Sequence, residues 1–182
     1  MPFGEHRVIA KRLENITSFI VMDVLEKAHE LERAGTNIIH LEVGEPDFDT
    51  PACVKAAACR ALDEGYTHYT HSLGLIELRE AICGHYLEKY GVNIKPDQII
   101  ITSGTSPALF MLFSAVLEPG EEIIISDPHY PCYPNFANFL KANPVVVKVS
   151  EDEGFQFRPE EIKKKIGPKS KAILVNSPSN PT

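Results

Sequence analysis

QIIITSGTSPALFMLFSAVLEPGEEIIISDPHYPCYP, residues 98–134, holds the pattern that sets the fold class. Gln98–Thr102 and Glu122–Ser126 are short β-branched runs, and an apolar stretch predicts a helix over 107–117 between them. Pro119-Gly120 supplies the turn from that helix into the second run. Further along, Val145–Val149 and Lys171–Val175 repeat the strand signal, separated by helical candidates at 131–142 and 159–166. Strands alternating with helices argue an α/β domain built on a parallel sheet with right-handed crossovers. A parallel sheet needs cover on both faces, and only Asn176–Thr182 follows the last strand candidate, so the domain is expected to continue past this chain.

Toward the N-terminus the rhythm is different. Residues 1–17 read as an irregular arm. Val21, Val24, Leu25, Ala28 and Leu31 recur at helical spacing, and Gly35 provides a stop. Asn37–Leu41 is a short strand candidate, and Gly44–Pro51 is a turn-rich loop. Thr50-Pro51 places a capping residue and a first-turn proline before a helix near 52–64, closed by Gly65. A Tyr/His/Thr loop at 66–72 leads to a helix near 75–90, with Leu75, Leu78, Ile82 and Tyr86 on one face and Gly91 after it. The expected division is an arm and small-domain segment over 1–44, then the first part of a larger α/β domain over 45–182.

Composition narrows the function classes. Eighteen basic and 25 acidic residues give a net charge of −7, which argues against a nucleic-acid or anionic-membrane surface. Lys163-Lys164-Lys165 follows Glu160-Glu161 and reads as the solvated face of a short helix. Cys53, Cys59, Cys83 and Cys132 include no CxxC pair, so they are expected to be reduced thiols of a cytoplasmic protein. The first residues lack the apolar stretch of a signal peptide, and no run approaches the ~18 apolar residues of a membrane span. His68 and His71 have no carboxylate or cysteine at ligand spacing, so no metal is expected there.

Three strand-end segments carry chemistry. In Thr102-Ser103-Gly104-Thr105-Ser106-Pro107, a strand passes into a helix, with Ser106 the expected N-cap and Pro107 in the first turn. Unpaired N–H groups and the helix dipole make such a point an anion site, and Gly104 lets the backbone come close to a bound group. A phosphate cradle and an ordinary capped helix both fit this segment taken alone. In Asp127-Pro128-His129-Tyr130-Pro131-Cys132-Tyr133-Pro134, two tyrosines held among prolines offer aromatic surface at the carboxyl end of a strand. In Asn176-Ser177-Pro178-Ser179-Asn180-Pro181-Thr182, an asparagine amide could reach the same cleft. Together the three loops suit one phosphorylated aromatic ligand.

Leu41-Glu42-Val43-Gly44-Glu45-Pro46-Asp47-Phe48 resembles the Gly-Glu-Pro-Asp-Phe loop of class I, fold type I, pyridoxal-phosphate (PLP) aminotransferases. YTHSLGLIELR, residues 69–79, is similar to the tyrosine and Gly-x-x-x-Leu-Arg region of that family. SGTSPAL, DPHYPCYP and NPT follow in the family's order, so the resemblance covers nearly the whole chain. It implies a PLP-transferase fold and the transfer of an amino group between an amino acid and a 2-keto acid, in amino-acid metabolism. It also implies a homodimer whose only other partners are small molecules.

Residue by residue, the resemblance implies that Thr105 and Ser106 bind the PLP phosphate, with Gly104 beside them. Tyr130 would stack on the pyridine ring, and Asn180 would hydrogen-bond its phenolic oxygen and orient substrate. Gly44 would offer its N–H to the substrate carboxylate, and Tyr69 would reach the phosphate in the neighbouring subunit. At Thr105–Pro107 this chain departs from the glycine or long polar residue more usual in the family. The Schiff-base lysine, the aspartate that pairs the ring nitrogen and the arginine that holds the carboxylate all follow the Asn-Pro-Thr loop in family order. No catalytic residue is therefore expected before Thr182, and this stretch alone is expected to be inactive. A PLP-dependent carbon–sulfur β-lyase and a non-catalytic fragment are the competing readings.

Overall fold

A computed structural model describes residues 9–182. The arm expected over 1–17 therefore lies partly outside the described residues; within them it includes a 3-10 turn at Lys11–Asn15. The helices are α1 Ile20–Arg33, α2 Ala52–Asp63, α3 Ile76–Tyr90, α4 Thr105–Val116, α5 Cys132–Phe139 and α6 Pro159–Lys165. The strands are β1 Glu122–Asp127, β2 Asn143–Lys148 and β3 Ser170–Ile173. The described residues divide into two compact units: Gly44–Gly104 forms one, and residues 9–43 group with Thr105–Thr182 in the other. Residues before 44 thus group with the later α/β elements, and Gly44–Gly104 groups by itself.

In the α/β unit the three strands are parallel, in the order β2-β1-β3. β1 pairs with β2 from Glu122↔Asn143 to Asp127↔Lys148, and with β3 at Glu122↔Ser170 and Ile123↔Ala172, with a register shift between those two pairs. The sequence explains why β1 is central. Ile123, Ile124 and Ile125 are all buried, and successive side chains of a strand point to opposite faces. Both faces of β1 are therefore covered, as a parallel sheet requires. On the Ile123/Ile125 side, Phe113 of α4 and Leu117 just after that helix meet Tyr133 and Ala137 of α5. Fully burying an isoleucine contributes roughly 1.5–3 kcal/mol, so this strand is the stability centre of the unit.

The N-terminal arm is tied to α5 by amides. The Asn135 side-chain oxygen accepts from the Thr17 N–H at 3.2 Å, and its NH2 donates to the Thr17 carbonyl at 2.9 Å. Asn138 donates to the Asn15 carbonyl at 3.2 Å, and the Arg12 guanidinium lies 4.9 Å from the Phe139 ring centroid. No pattern in residues 9–19 announces these contacts, because their partners are more than a hundred positions away.

The Gly44–Gly104 unit is built on α2 and α3. Gly74 has φ +94° and stands where a Cβ would come within 2.6 Å of the Ile101 side chain. Arg79, in the first turns of α3, is 6% exposed; its Nε donates to the Gly74 carbonyl at 3.2 Å and its Nη1 to the Pro96 carbonyl at 2.9 Å. A guanidinium can serve two carbonyls from one fork, so Arg79 fastens the turn before α3 to the 3-10 turn Pro96–Gln98. This gives the Gly-x-x-x-Leu-Arg stretch a structural reason within its own unit.

Two expected strands do not form. Residues 37–41 and 98–102 contain no strand; Ile39 and Leu41 are exposed, and Ile101 makes one backbone bond, to the Leu73 carbonyl at 3.0 Å. Their β-branched composition suits a pleated surface, but a strand also needs a ladder partner, and these segments have none among the described residues. At α2 the expected roles shift by one residue. Pro51 occupies the N-cap position, Ala52 opens the helix, and Thr50 makes no side-chain cap there.

Candidate functional site

At the carboxyl ends of β1 and β3, and at the N-terminus of α4, lies a cavity of about 520 Å³. Thr105 and Leu109 of α4 line it, with Tyr130 and Tyr133 after β1 and Asn176 and Asn180 after β3. All of these belong to the α/β unit. The position follows the general rule for open α/β sheets, which bind ligands beyond the carboxyl ends of their strands.

α4 opens two residues earlier than the cap pattern implied. Thr105 is its first residue, so Ser106 lies inside the first turn rather than at the N-cap, and Pro107 is third. The reason is Gly104, whose φ of +92° reverses the chain directly before the helix. The turn is closed by the Thr102 hydroxyl, which donates to the Gly104 carbonyl at 2.6 Å. The earlier helix start leaves the same donors at that end. The first four N–H groups of a helix lack internal partners, and Thr105 and Ser106 bring both N–H and hydroxyl donors to that end.

Tyr130 is fixed from its edges. Its ring makes edge contacts with Phe19 at 5.9 Å and with Tyr133 at 5.5 Å, centroid to centroid. A hydrogen bond with the Cys132 thiol and then burial push its phenol above the ordinary value of 10.0, while a hydrogen bond with Ser106 pulls the other way. Tyr130 is thus a neutral hydroxyl at physiological pH, and Ser106 links it to the start of α4. Burial first, and then Cys132, also raises Tyr133. Cys132 is one of four free cysteines.

The loop after β3 closes the third side. With its amide oxygen turned toward donors, Asn176 accepts from the Tyr133 hydroxyl at 3.3 Å and from the Asn180 N–H at 3.2 Å. Its NH2 then donates to the Pro178 carbonyl at 3.2 Å. Asn176 therefore ties the aromatic loop to the Asn180 loop, and the exposed Asn180 side chain borders the cavity.

Among the residues singled out in the sequence, Thr105, Tyr130 and Asn180 border one cavity, and Ser106 joins them through Tyr130. Gly104, Gly44 and Tyr69 belong to the other unit. There Gly44 has open space where a Cβ would be, and Tyr69 is fully exposed. Phe19 was not foreseen, since an aromatic in a loop has no local signal for a contact 111 positions away.

The donor set suits a flat, phosphorylated heteroaromatic ligand. A dianion matches the helix end, a ring matches the tyrosine surface, and a ring oxygen or ammonium matches the amides. Fold and cavity together define an α/β protein whose ligand site is assembled from strand-end loops.

Comparison with known proteins narrows that class. The sequence profile described as "Aminotransferase class I and II" matches residues 36–182, and the chain belongs to this family. It is 47% identical over 174 residues to a (5-formylfuran-3-yl)methyl phosphate transaminase from Methanocaldococcus jannaschii, covering 96% of this chain and 45% of the relative. It is 41% identical to an aspartate/prephenate aminotransferase from Thermus thermophilus, covering 97% of this chain and 46% of that protein. Among solved structures, the Thermus thermophilus aspartate aminotransferase with maleate matches at a TM-score of 0.91 and 41% identity, over 97% of this chain and 46% of that one. An alanine aminotransferase from Pyrococcus furiosus matches at 0.88 and 39%, over 96% and 45%. The chain spans about half the length of the relatives it matches.

Proposed function

We propose that the complete protein is a PLP-dependent aminotransferase that moves an amino group from an amino acid to a 2-keto acid. The observation that carries this reading is the convergence of the α4 N-terminus, the Tyr130 ring and the Asn180 loop on one cavity, in a chain of the aminotransferase family. PLP, when bound, supplies an aldehyde that takes up the amine and a ring that spreads the electrons of the broken Cα–H bond. The residues of this chain bind and orient. Thr105 and Ser106 hold the phosphate with N–H and hydroxyl donors, and Gly104 keeps the approach to them free of a side chain. Tyr130 stacks on the ring, in a plane set by Phe19 and Tyr133. Asn180 donates to the ring's phenolic oxygen, with its loop held by Asn176. Gly44 offers its N–H to the substrate carboxylate.

The protein acts as a homodimer in which Tyr69 reaches the phosphate bound by the partner subunit. This is supported by the full exposure of Tyr69 and by the matching tyrosine region of the family. No helix among the described residues is long and apolar enough to cross a membrane, and the acidic balance disfavours nucleic acid, so a cytoplasmic setting with small-molecule partners fits. The test is turnover of the complete protein loaded with PLP, with amino donors and 2-keto acids supplied together and singly. Amine transfer that needs both substrates is the expected result. Thiol and ammonia released from cysteine conjugates without any keto acid would identify a lyase, and failure to bind PLP would remove the reading altogether.

A further inference from the structure

Outside the cavity, one cluster of metal-ligating side chains stands on the N-terminal segment of the α/β unit. His29 and Glu32 are three apart on α1 and so share a face of that helix. After the turn at Gly35 the chain runs back, and His40 meets them: one ligand atom each from His29, Glu32 and His40 lies within 4.8 Å of the other two. The His29 and His40 rings are 5.7 Å apart, centroid to centroid. His40 Nε2 is 2.9 Å from a Glu32 carboxylate oxygen, and His40 Nδ1 is 2.6 Å from a carboxylate oxygen of Glu42. The second Glu42 oxygen accepts from the Leu41 N–H at 2.9 Å, which fixes that carboxylate in place.

The geometry points to a divalent transition-metal site, with zinc the best-suited ion, formed by His29, Glu32 and His40. Two imidazoles and one carboxylate are an established ligand set for zinc, with a fourth position left to water. Tetrahedral ligands at about 2.0–2.1 Å stand roughly 3.3 Å from one another, so 2.9 Å between Glu32 and His40 is nearly right already. His29 has to move closer, and as an exposed side chain it is free to change rotamer. Glu42 is placed as an outer partner. A carboxylate on Nδ1 holds the proton there and leaves the Nε2 lone pair for the metal, the usual carboxylate–histidine–metal arrangement. Charge agrees as well. Among the described residues neither Glu32 nor Glu42 is ion-paired to lysine or arginine, and a divalent cation would balance the two carboxylates. The ion would pin the second half of α1 to the segment 38–43, whose Ile39 and Leu41 side chains are exposed. Any proton on His40 Nε2 leaves to solvent as the metal enters, and no redox change is involved.

The experiment is calorimetric titration of zinc chloride into the complete protein and its variants in a non-coordinating buffer. Thermal unfolding with and without zinc, and the absorption spectrum with cobalt in place of zinc, accompany it. One site per chain is expected, absent from H29A and H40A, with E42Q weakening binding about 10–100-fold as outer partners typically do. Zinc should raise the midpoint of unfolding in the native protein but not in H40A. Cobalt should give a spectrum without thiolate charge-transfer bands. Should H40A fail to fold by circular dichroism, H29A decides alone, since His29 is exposed and its removal leaves the His40–Glu42 contact intact. Equal zinc affinity in native protein and H29A, thiolate bands with cobalt, or no zinc binding at all would each overturn the assignment.

Discussion

Tyr130 carries more of the proposed site than any other side chain, because it meets all of its sides: α4 through Ser106, the arm through Phe19 and the loop after β3 through Tyr133 and Asn176. Aromatic stacking contributes about 0.5–1.5 kcal/mol beyond area burial, or roughly 2- to 13-fold in affinity. Y130A in the complete protein is therefore expected to weaken PLP binding by at least that factor. Y130F keeps the ring and should retain most of the affinity. Titration followed by cofactor absorbance measures both. Unchanged affinity and an unchanged spectrum in Y130A would remove Tyr130 from the site. The comparison isolates stacking, since the Tyr130 hydroxyl stays protonated near neutral pH.

Between residue and molecule, Gly74 and Gly104 make a natural pair. Both have φ near +90°, but a Cβ at Gly104 meets open space, whereas one at Gly74 strikes the Ile101 side chain at 2.6 Å. A left-handed conformation costs an L-residue about 1–2 kcal/mol, so G104A is expected to lose that much stability. G74A adds the cost of overpacking, about 1–3 kcal/mol, for a loss of roughly 2–5 kcal/mol. Urea unfolding of the two variants side by side checks the difference, and equal losses would mean that the Gly74–Ile101 contact is not made in solution. The same elements show what a sequence can reveal. α2 and α3 have stops at Gly65 and Gly91 and form within a residue or two of the expected bounds, although Leu75, Leu78 and Tyr86 of the expected apolar face are exposed. β1, β2 and β3 were legible from β-branched runs. Residues 37–41 and 98–102 have similar composition and no ladder, because pairing is a property of two segments and composition belongs to one. The segments holding Thr105, Tyr130 and Asn180 could be picked out as candidate strand-end loops, but their individual roles came from the family resemblance. Phe19 and the His29–Glu32–His40 cluster could not, since their partners are brought together only when the chain turns back on itself.

For the molecule as a whole, the homodimer is the assembly to test. Sedimentation at assay concentration is expected to give twice the mass of one complete chain. Y69A should weaken PLP binding while leaving the mass unchanged, because a single exposed ring is a small part of an interface that typically buries well over 1,000 Å². A fully active monomer would overturn the role given to Tyr69. The amide clasp between the arm and α5 bears on how the molecule is made. Thr17 and Asn135 are 118 positions apart. At a synthesis rate of about 5–20 residues per second, the arm leaves the ribosome roughly 6–24 s before the helix that receives it has been translated. Phe19 waits almost as long for Tyr130. Through that interval these groups have no native partner, so in a nascent polypeptide of this protein the arm is open to chaperones and proteases until α5 has been made.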